Sequence, residues 1–237
     1  MVIVAHRGSM ALEPENSIAA FRRAVDDGAD LVETDLRLSS DGKFVCFHDA
    51  MLGRTANATG PVSGRTLAEL KEVSLRWKGE ARLRERIPTL EDLVSAVPSP
   101  LGLALELKDP RFEDQEVCAT LVDRLRALGA LDRTMVLTAT RTKSTAMRQA
   151  APAVPIGSIT FALAPTTAVE LVGPFWPLLV INPFYVRLAH RRGIVVCPLD
   201  PRPDARLAFY RAIGCDALLT DNPSATIAAL RNVEARA

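Results

Sequence analysis

The sequence predicts an α/β fold, a (β/α)8 TIM-type barrel that residues 1–237 form as a single domain. Short apolar runs alternate with helical stretches along the 237 residues, which is the pattern of parallel strands joined by crossover helices. Seven or eight such units in a chain of this length fit a closed barrel better than an open sheet. An open doubly wound sheet usually has a glycine-rich turn after its first strand, and here only Gly8 is present.

Apolar runs predict the strands, and capping or breaking residues predict the helices between them. The predicted strands are residues 2–6, 30–36, 43–48, 101–107, 134–139, 154–159, 178–182, 194–198 and 216–220. The predicted helices are residues 17–27, 89–96, 114–128, 142–150, 166–172, 184–192, 203–213 and 223–233. Helix ends are indicated by Gly28, Gly129, Gly193 and Gly214. Helix starts are indicated by Asn16-Ser17, Asp204 and Asn222-Pro223.

Residues 50–88 interrupt this alternation and predict a small insertion after an early strand. The segment contains several glycines and charges and one short helical run near residues 67–73. Insertions after the carboxyl end of a barrel strand lie on the active face of the barrel. A solvated loop is the favoured interpretation of its basic stretch, and an anion site is the alternative; the basic residues are Arg76, Lys78, Arg82, Arg84 and Arg86.

Composition excludes some classes of partner. The formal net charge is +1, so no bulk field attracts nucleic acid or an anionic membrane. No apolar run approaches the roughly 20 residues of a membrane span, and no signal-peptide pattern precedes Val2. The four cysteines are scattered without the spacing of a zinc site. We therefore expect a cytoplasmic protein with reduced core thiols and no integral membrane association. The oligomeric state is left open.

Three carboxylates end predicted strands and suggest a metal site. Glu33 and Asp35 are two apart on one strand, so their side chains share a face at a Cα distance of about 7 Å. Two such anions repel unless one is protonated or a cation lies between them. Glu106 ends another strand at a comparable place. Three carboxylates suit Mg²⁺ or Ca²⁺. Ordinary salt bridges to Arg7, Arg37 or Lys108 are an equally good interpretation at this point.

His6 and His48 also end predicted strands, near the acids. Imidazole is the natural proton carrier near neutral pH, although a lone histidine at a strand end is more often structural. The third histidine, His190, precedes Gly193 and is expected to face solvent near a helix C-terminus. Arg7 and Lys108, together with a divalent ion, would bind a phosphate. This composition favours phosphoryl chemistry over glycoside hydrolysis, which needs only a carboxylate pair.

The ordered motifs of the chain resemble the glycerophosphodiester phosphodiesterase family over nearly its whole length. The family pattern H-R-G, P-E-N-T, E-x-D and H-D is matched by His6-Arg7-Gly8, Pro14-Glu15-Asn16-Ser17, Glu33-Thr34-Asp35 and His48-Asp49. The match continues through Arg54-Thr55, Gly60, Thr66-Leu67-Ala68-Glu69-Leu70, Pro88-Thr89-Leu90-Glu91 and Leu105-Glu106-Leu107-Lys108. It closes at residues 214–223, which are similar to the family's G-x-D-x-x-x-T-D-x-P ending.

The resemblance implies a metal-dependent phosphodiesterase that hydrolyses small-molecule glycerophosphodiesters to glycerol 3-phosphate and an alcohol. It implies a TIM-type barrel with Mg²⁺ or Ca²⁺ on Glu33, Asp35 and Glu106. It makes His6 and His48 the acid–base pair and places Arg7 and Lys108 on the phosphate. Glu15 and Asn16 would organise the first loop.

Two departures from the family pattern concern the alcohol side of the pocket. A Ser-Phe pair is replaced by Leu137-Thr138-Ala139-Thr140, and a W-T-x-N or W-T-x-D run by Cys197-Pro198-Leu199-Asp200. Residues 161–165 and 175–177 could supply an apolar wall or belong to the barrel core. A lysophospholipase D-type phosphodiesterase is therefore one alternative. A non-catalytic barrel that binds a phosphoester is another.

Overall fold

The computed structural model describes residues 1–165 and 168–235, apart from the side chains of residues 80–84 and 234. Its strands are β1 Val2–Ala5, β2 Leu31–Leu38, β3 Phe44–Cys46, β4 Ser74–Trp77, β5 Glu80–Arg86, β6 Gly102–Leu107, β7 Thr134–Thr138, β8 Ile156–Thr160, β9 Leu171–Pro174, β10 Val195–Val196 and β11 Ala217–Thr220. Its α-helices are α1 Ile18–Asp26, α2 Leu67–Lys71, α3 Leu90–Ala96, α4 Gln115–Ala127, α5 Arg141–Ala150, α6 Pro177–Ile181, α7 Tyr185–His190, α8 Leu207–Ile213 and α9 Pro223–Glu234.

Eight strands form a barrel, which confirms the predicted fold class. They follow the order β10-β9-β8-β7-β6-β2-β1-β11, and every pairing along this path is parallel. The strand β3 pairs antiparallel with β2 outside the barrel. The predicted strand 43–48 is therefore a short flanking strand, and His48 lies two residues beyond its end.

The barrel closes between β10 and β11 through Asp216. The Val196 carbonyl accepts from the Asp216 N–H at 3.1 Å, and the Val196 N–H donates to Asp216 Oδ2 at 2.8 Å. The carboxylate thus replaces a backbone carbonyl in the ladder. The same oxygen lies 2.9 Å from His190 Nε2. His190 is the last residue of α7 and its side chain is 41% exposed, as predicted.

The predictions for residues 166–182 are wrong in part. We expected a helix at 166–172 and a strand at 178–182, whereas Leu171–Pro174 is the strand β9 and Pro177–Ile181 is the helix α6. Residues 166–167 lie outside the described part of the chain. A short apolar run fits a strand or a buried helix equally well by periodicity. Pro177, at the first turn of α6, is the helix signal that resolves this.

Most predicted helix boundaries are confirmed by their caps. The Ser17 side chain accepts from the Ala20 N–H at the start of α1, and the Asn222 side chain accepts from Ala225 N–H at the start of α9. Gly214 ends α8 with a φ of 82°. Asp204 caps no helix; it lies within the 3-10 turn Pro203–Arg206 and accepts a hydrogen bond from Thr226 Oγ1.

The insertion folds around a small hydrophobic cluster of its own. This cluster consists of Val45, Phe47, Leu52, Ala56, Val62, Leu70, Val73, Leu75 and Ile87. We expected a solvated loop at residues 76–86. These residues instead form most of a hairpin, in which β4 and β5 pair antiparallel. Lys78 and Gly79 have φ values of 51° and 84° between these strands, as a two-residue hairpin turn with positive φ requires. The side chains of Arg82 and Arg84 lie outside the described residues.

The four cysteines are unpaired and buried, as predicted, at positions 46, 118, 197 and 215. Burial raises the pKa of the Cys46 and Cys197 thiols to about 12. Across the described residues, none of the helices is both long enough and apolar enough to span a membrane.

Candidate active site at the barrel mouth

The three predicted carboxylates meet at the carboxyl ends of neighbouring strands. Asp35 of β2 is paired in register with Glu106 of β6, and Glu33 lies two residues earlier on the same face of β2. One carboxylate oxygen from each residue lies within 4.8 Å of the other two. All three side chains are buried. Strand register therefore builds a compact acidic trio, because adjacent parallel strands end at the same edge.

Burial and mutual repulsion oppose ionisation of this trio. Burial, and then the charges of Asp35 and Glu106, raise the pKa of Glu33 well above its usual range. Burial also raises the pKa of Glu106, although Lys108 opposes the shift. Burial acts in the same direction on Asp35, but the charges of Arg7, His48 and Lys108 outweigh it and leave that pKa lowered.

Arg7 and Lys108 lie against the acids, so part of the salt-bridge interpretation is correct. Lys108 Nζ is 2.7 Å from Glu106 Oε1 and 3.6 Å from Asp35 Oδ1. Arg7 Nε is 3.2 Å from Asp35 Oδ2, and the Arg7 backbone N–H donates to Glu33 Oε2 at 2.8 Å. Arg37 takes a different partner and donates to the His48 carbonyl at 2.8 Å. Two cations therefore face three carboxyl groups, so these salt bridges do not provide one cation for each acid.

The donor set fits a divalent metal ion. Asp35 Oδ1 is buried and accepts no hydrogen bond from the described residues, which is costly for a polar atom without a ligand. It belongs to a cluster of oxygen ligands, the kind that hard cations such as Mg²⁺ and Ca²⁺ prefer. The carboxylates of Glu33, Asp35 and Glu106 are the residues that would hold such an ion.

A strained loop between β1 and α1 positions Arg7 against the acids. Arg7 and Asn16 have φ values of 51° and 54°. Gly8 has a φ of +78°, and a Cβ there would lie 2.6 Å from the backbone of Ala20, so only glycine fits. Asn16 is buried and its amide donates to Asp35 Oδ2 at 2.9 Å. Its amide oxygen accepts from Thr34 Oγ1 at 2.7 Å.

His6 follows β1 and is oriented by Asp221, which follows β11. Its backbone N–H donates to the Thr220 carbonyl at 2.9 Å, and its Nδ1 is 2.7 Å from Asp221 Oδ1. An ionised Asp221 keeps the proton on Nδ1 and leaves Nε2 free for the cavity. His6 lines the same barrel cavity as Glu33 and Glu106.

His48 is oriented by its neighbour in the chain. Its Nδ1 lies 2.6 Å from Asp49 Oδ1. Burial lowers the pKa of His48, although the charge of Asp35 opposes the shift. A hydrogen bond from Arg54, helped by His48 itself, lowers the pKa of Asp49 to about 2. Asp49 therefore stays ionised at neutral pH and favours the His48 tautomer that presents Nε2.

Arg54 of the insertion connects the aspartate that orients His48 with the glutamate that holds Arg7. It donates to Asp49 from Nε at 2.6 Å and to both oxygens of Glu15 at 2.9 and 2.8 Å. Glu15 in turn accepts from Arg7 Nη1 at 2.9 Å. Sequence reasoning missed the orienting roles of Asp49, Asp221 and Arg54. All three lie in the quoted motifs, but their contacts depend on tertiary structure.

The cavity in the barrel mouth has its titratable groups on one side. His6, Glu33 and Glu106 come from the end of β1, from β2 and from β6, whereas the later strands supply a mostly apolar wall that includes one hydroxyl, from Ser158; its apolar members are Leu137, Ile159, Pro198 and Leu199. Thr138 and Asp200 belong to the two runs that differ from the family pattern, and neither residue lines this cavity. Thr138 bonds Ser144 Oγ at 2.6 Å, and Asp200 binds Arg206 and Tyr210.

Comparisons with known proteins agree with this geometry. The model of the "Glycerophosphoryl diester phosphodiesterase family" matches residues 6–225. The chain is 31% identical over 255 residues to "Probable glycerophosphodiester phosphodiesterase 1" of Mycobacterium tuberculosis, covering 97% of this chain and 92% of the relative. It is 28% identical over 247 residues to "Glycerophosphodiester phosphodiesterase" of Caldanaerobacter subterraneus subsp. tengcongensis, covering 97% and 98%.

A solved structure extends the likeness to the whole fold. It is an Oleispira antarctica phosphodiesterase in complex with the product sn-glycerol-3-phosphate, with a TM-score of 0.87 at 26% identity. The likeness covers 98% of this chain and 97% of that one. The family match, which runs from His6 past Asp221, contains the acidic trio and both aspartate-held histidines. The resemblance read from the sequence is confirmed, and the chain belongs to the glycerophosphoryl diester phosphodiesterase family.

Proposed function

We propose that this protein is a metal-dependent hydrolase that cleaves glycerophosphodiesters to glycerol 3-phosphate and an alcohol. The observation that carries the proposal is a buried carboxylate trio at a cavity that His6 also lines, together with an aspartate that holds Nδ1 of each of His6 and His48. Family membership and the product-bound relative support the same reaction.

The acidic trio would hold Mg²⁺ or Ca²⁺. A bound divalent ion supplies positive charge to the phosphate and stabilises the charge that develops on its oxygens. Two features support this assignment: Asp35 Oδ1 is buried and accepts no hydrogen bond from the described residues, and the pKa of Glu33 is raised. A cation would satisfy the first and displace the proton favoured by the second.

Arg7 and Lys108 would bind the phosphate oxygens. Both are partly exposed and lie beside the trio. Arg7 is in the loop after β1, and Lys108 directly follows β6. In this structure their charges are directed at carboxylates. Guanidinium and ammonium groups form strong charge-assisted bonds to phosphate, so a substrate would compete for donors already in place.

His6 and His48 would move the protons. One imidazole removes a proton from the attacking hydroxyl group, whose oxygen forms a new P–O bond. The other gives a proton to the oxygen of the departing alcohol as its bond to phosphorus breaks. Their aspartates would fix the ring orientation and stabilise each imidazolium as it forms.

The first test measures release of glycerol 3-phosphate from glycerophosphocholine with Mg²⁺ or Ca²⁺ added to metal-stripped enzyme. We expect His6→Ala and His48→Ala each to lower kcat by about 100-fold or more, because each removes a proton-transfer group. Metal binding, measured by calorimetry, should persist in both. His190→Ala is the matched control and should keep its turnover, since this histidine lies at the opposite end of the barrel.

Two results would contradict the proposal. Near-normal rates in both histidine variants would remove the acid–base assignment. Tight metal-dependent binding of glycerophosphocholine without any product would identify a non-catalytic binding barrel instead.

We further propose that residues 1–237 work as one cytoplasmic domain. The ion pairs of Arg54 tie the insertion to the first barrel loop, which supports a single unit. Four unpaired thiols are typical of a reducing compartment.

A further inference from the structure

Lys143 on α5 is a buried cation that has no part in the reaction steps proposed above. The residue is only 9% exposed, and none of the described ion pairs joins its ammonium to a carboxylate. Burial lowers the pKa of Lys143, and the charge of Glu113 is the largest that opposes this shift. A buried ammonium is costly unless hydrogen bonds compensate it, so the partners of this one indicate its role.

The Lys143 ammonium holds two backbone carbonyls at the carboxyl end of β6. It donates to the Leu107 carbonyl at 2.8 Å and to the Lys108 carbonyl at 3.0 Å. The ladder between β6 and β7 ends at the pair of Glu106 and Leu137, so the Leu107 carbonyl lies one residue beyond it. The lysine therefore supplies donors at the point where the neighbouring strand has ended.

The segment held in this way carries a phosphate-binding cation of the proposed mechanism. Glu106 lies within the ladder and is paired on both sides, so strand pairing alone fixes its backbone. Lys108 follows β6; its N–H donates to the Leu36 carbonyl at 3.0 Å, but its own carbonyl lies beyond the last paired residue. Lys143 therefore acts on the backbone around Lys108 more than on that of Glu106.

The residue after Lys108 is anchored from the other side. Asp109 is buried, and its Oδ2 accepts from the Leu38 N–H of β2 at 3.2 Å. Arg111 donates to Asp109 Oδ1 and to the Ser39 carbonyl, both at 2.9 Å. These contacts fix the backbone of Lys108, whereas its side chain is 22% exposed and can turn from the carboxylates to a phosphate oxygen.

A lysine suits this contact because of its reach and its charge. The ammonium carries three donors on a flexible stem, which lets α5 reach two successive carbonyls of the preceding unit. Its charge also strengthens both hydrogen bonds relative to those of a neutral donor. Lys143 does not belong to the described lining of the catalytic cavity, so its effect on a bound phosphate would pass through the segment it holds.

We infer that Lys143 is a positioning residue for the phosphate site, whose ammonium fixes the backbone at Leu107 and Lys108 and thereby directs the Lys108 side chain towards a phosphate oxygen. This inference rests on the phosphate site of the proposed function and adds to it a residue that lies outside the cavity. A lysine with a merely structural role would stabilise the fold without a specific effect on phosphate binding.

The test is a double-mutant cycle on the Kd of the metal-loaded protein for sn-glycerol 3-phosphate, measured by calorimetry. Lys143→Met keeps the length of the side chain and removes its donors, whereas Lys108→Met removes the phosphate-binding charge. We expect Lys143→Met to raise Kd about 10-fold, because the Lys108 ammonium is no longer held in the binding geometry. In the Lys108→Met background the same substitution should change Kd by less than about 2-fold, because the group to be positioned is absent.

Three further measurements separate positioning from structural support. Lys143→Arg keeps charged donors on a long side chain and should restore most of the affinity. The affinity of Lys143→Met for Mg²⁺ alone should be unchanged, since the ladder fixes Glu106. On glycerophosphocholine, Lys143→Met should raise KM more than it lowers kcat, because it weakens binding of the phosphate in the ground state as well as in the transition state.

Arg133→Met is the matched control. Arg133 donates to the Val97 and Leu101 carbonyls at 2.8 and 2.6 Å, which is the same kind of contact at the amino end of β6. Burial lowers the pKa of Arg133 as well. Its substitution should lower the melting temperature and leave the Kd for glycerol 3-phosphate unchanged. If Lys143→Met does not fold, Lys143→Gln, which keeps an amide donor on a shorter stem, takes its place in the cycle.

The results distinguish this inference from the proposed function. Additive effects of Lys143→Met and Lys108→Met, or an equal loss of affinity in Arg133→Met, would overturn the inference, whereas hydrolysis of glycerophosphocholine by the unaltered protein would still uphold the proposed function. A non-additive cycle in a protein that releases no glycerol 3-phosphate would support the inference and remove the proposed hydrolysis. An unchanged Kd in either single variant would also overturn the inference.

Discussion

Among single residues, Glu33 has the surroundings that most oppose its charge. It is fully buried, with two further carboxyl groups beside it and the Arg7 backbone N–H as donor. Its folded-state pKa is raised, so the metal-free native protein holds a proton that the unfolded chain releases. Stability of the metal-free protein therefore falls as pH rises from the unfolded pKa towards the folded one.

Metal binding should reverse this pH dependence. Because the ion displaces the Glu33 proton, we expect the rise in melting temperature produced by Mg²⁺ or Ca²⁺ to grow from mildly acidic to mildly alkaline pH. Thermal unfolding with and without each metal measures it. Glu33→Gln should abolish most of the metal effect and flatten the pH dependence of the metal-free form. A metal effect that is the same at every pH would contradict the ligand assignment.

Residue-level prediction succeeded where spacing along one strand fixes geometry. Glu33 and Asp35 had to share a face, and a parallel neighbour could bring Glu106 beside them. The aspartates that orient the histidines could not be assigned in this way. Asp221 reaches His6 only because the last strand lies beside the first, a contact that no local pattern contains.

At the scale of elements, the insertion has a direct part in the site. Arg54 bridges Asp49, which orients His48, and Glu15, which holds Arg7. A planar guanidinium suits this double contact to two carboxylates. Arg54 is thus a positioning residue that couples the fold of the insertion to the geometry of the barrel mouth.

Arg54→Ala should lower kcat about 10-fold, because an orienting contact is lost without removing a reacting group. Loss of this cation also favours the protonated form of His48, so the limb of the pH–rate profile that reports His48 should move to higher pH. Arg54→Lys should restore only part of the rate. Arg65→Ala is the control, since the Arg65 side chain donates only to the Thr59 carbonyl among the described hydrogen bonds. Unchanged rate and profile in Arg54→Ala would exclude the positioning role.

Element prediction failed where apolar runs were short. Residues 178–181 are all apolar, which suits a strand, yet Pro177 begins a helix there. The true strand, Leu171–Pro174, contains Gly173 and a proline and lacks the composition of a typical strand. Its position is set by parallel pairing with β8 and β10. This pairing depends on the tertiary structure and is not visible in the local sequence.

At the scale of the whole molecule, contacts that close the barrel and residues of the candidate active site lie at opposite ends of the barrel axis. The closing contacts of Asp216 lie at the amino ends of β10 and β11, whereas the acids and histidines lie at the carboxyl ends. Asp216 joins strand β10 to β11 and also holds His190 of α7. It therefore secures the barrel far from the reacting groups.

Asp216→Ala should destabilise the protein by about 1–3 kcal/mol, because the Val196 N–H loses its acceptor in the barrel wall. The midpoint of urea unfolding should fall while kcat of the folded enzyme stays near its original value. Asp123→Ala, which removes an exposed pair with Arg126, should change stability by less than about 1 kcal/mol. A parallel loss of kcat in Asp216→Ala would show that the two ends are not independent.

The four buried thiols are positions at which local unfolding can be measured by chemical labelling. Cys46 ends β3 and packs in the main core, Cys118 lies on the buried face of α4, and Cys197 and Cys215 lie beside the closing strands β10 and β11. Burial raises the pKa of each thiol, to about 11 for Cys118 and about 12 for the others. A thiol-specific alkylating reagent can therefore modify each position only when the surrounding structure opens, and the order of labelling would report which part of the barrel opens first.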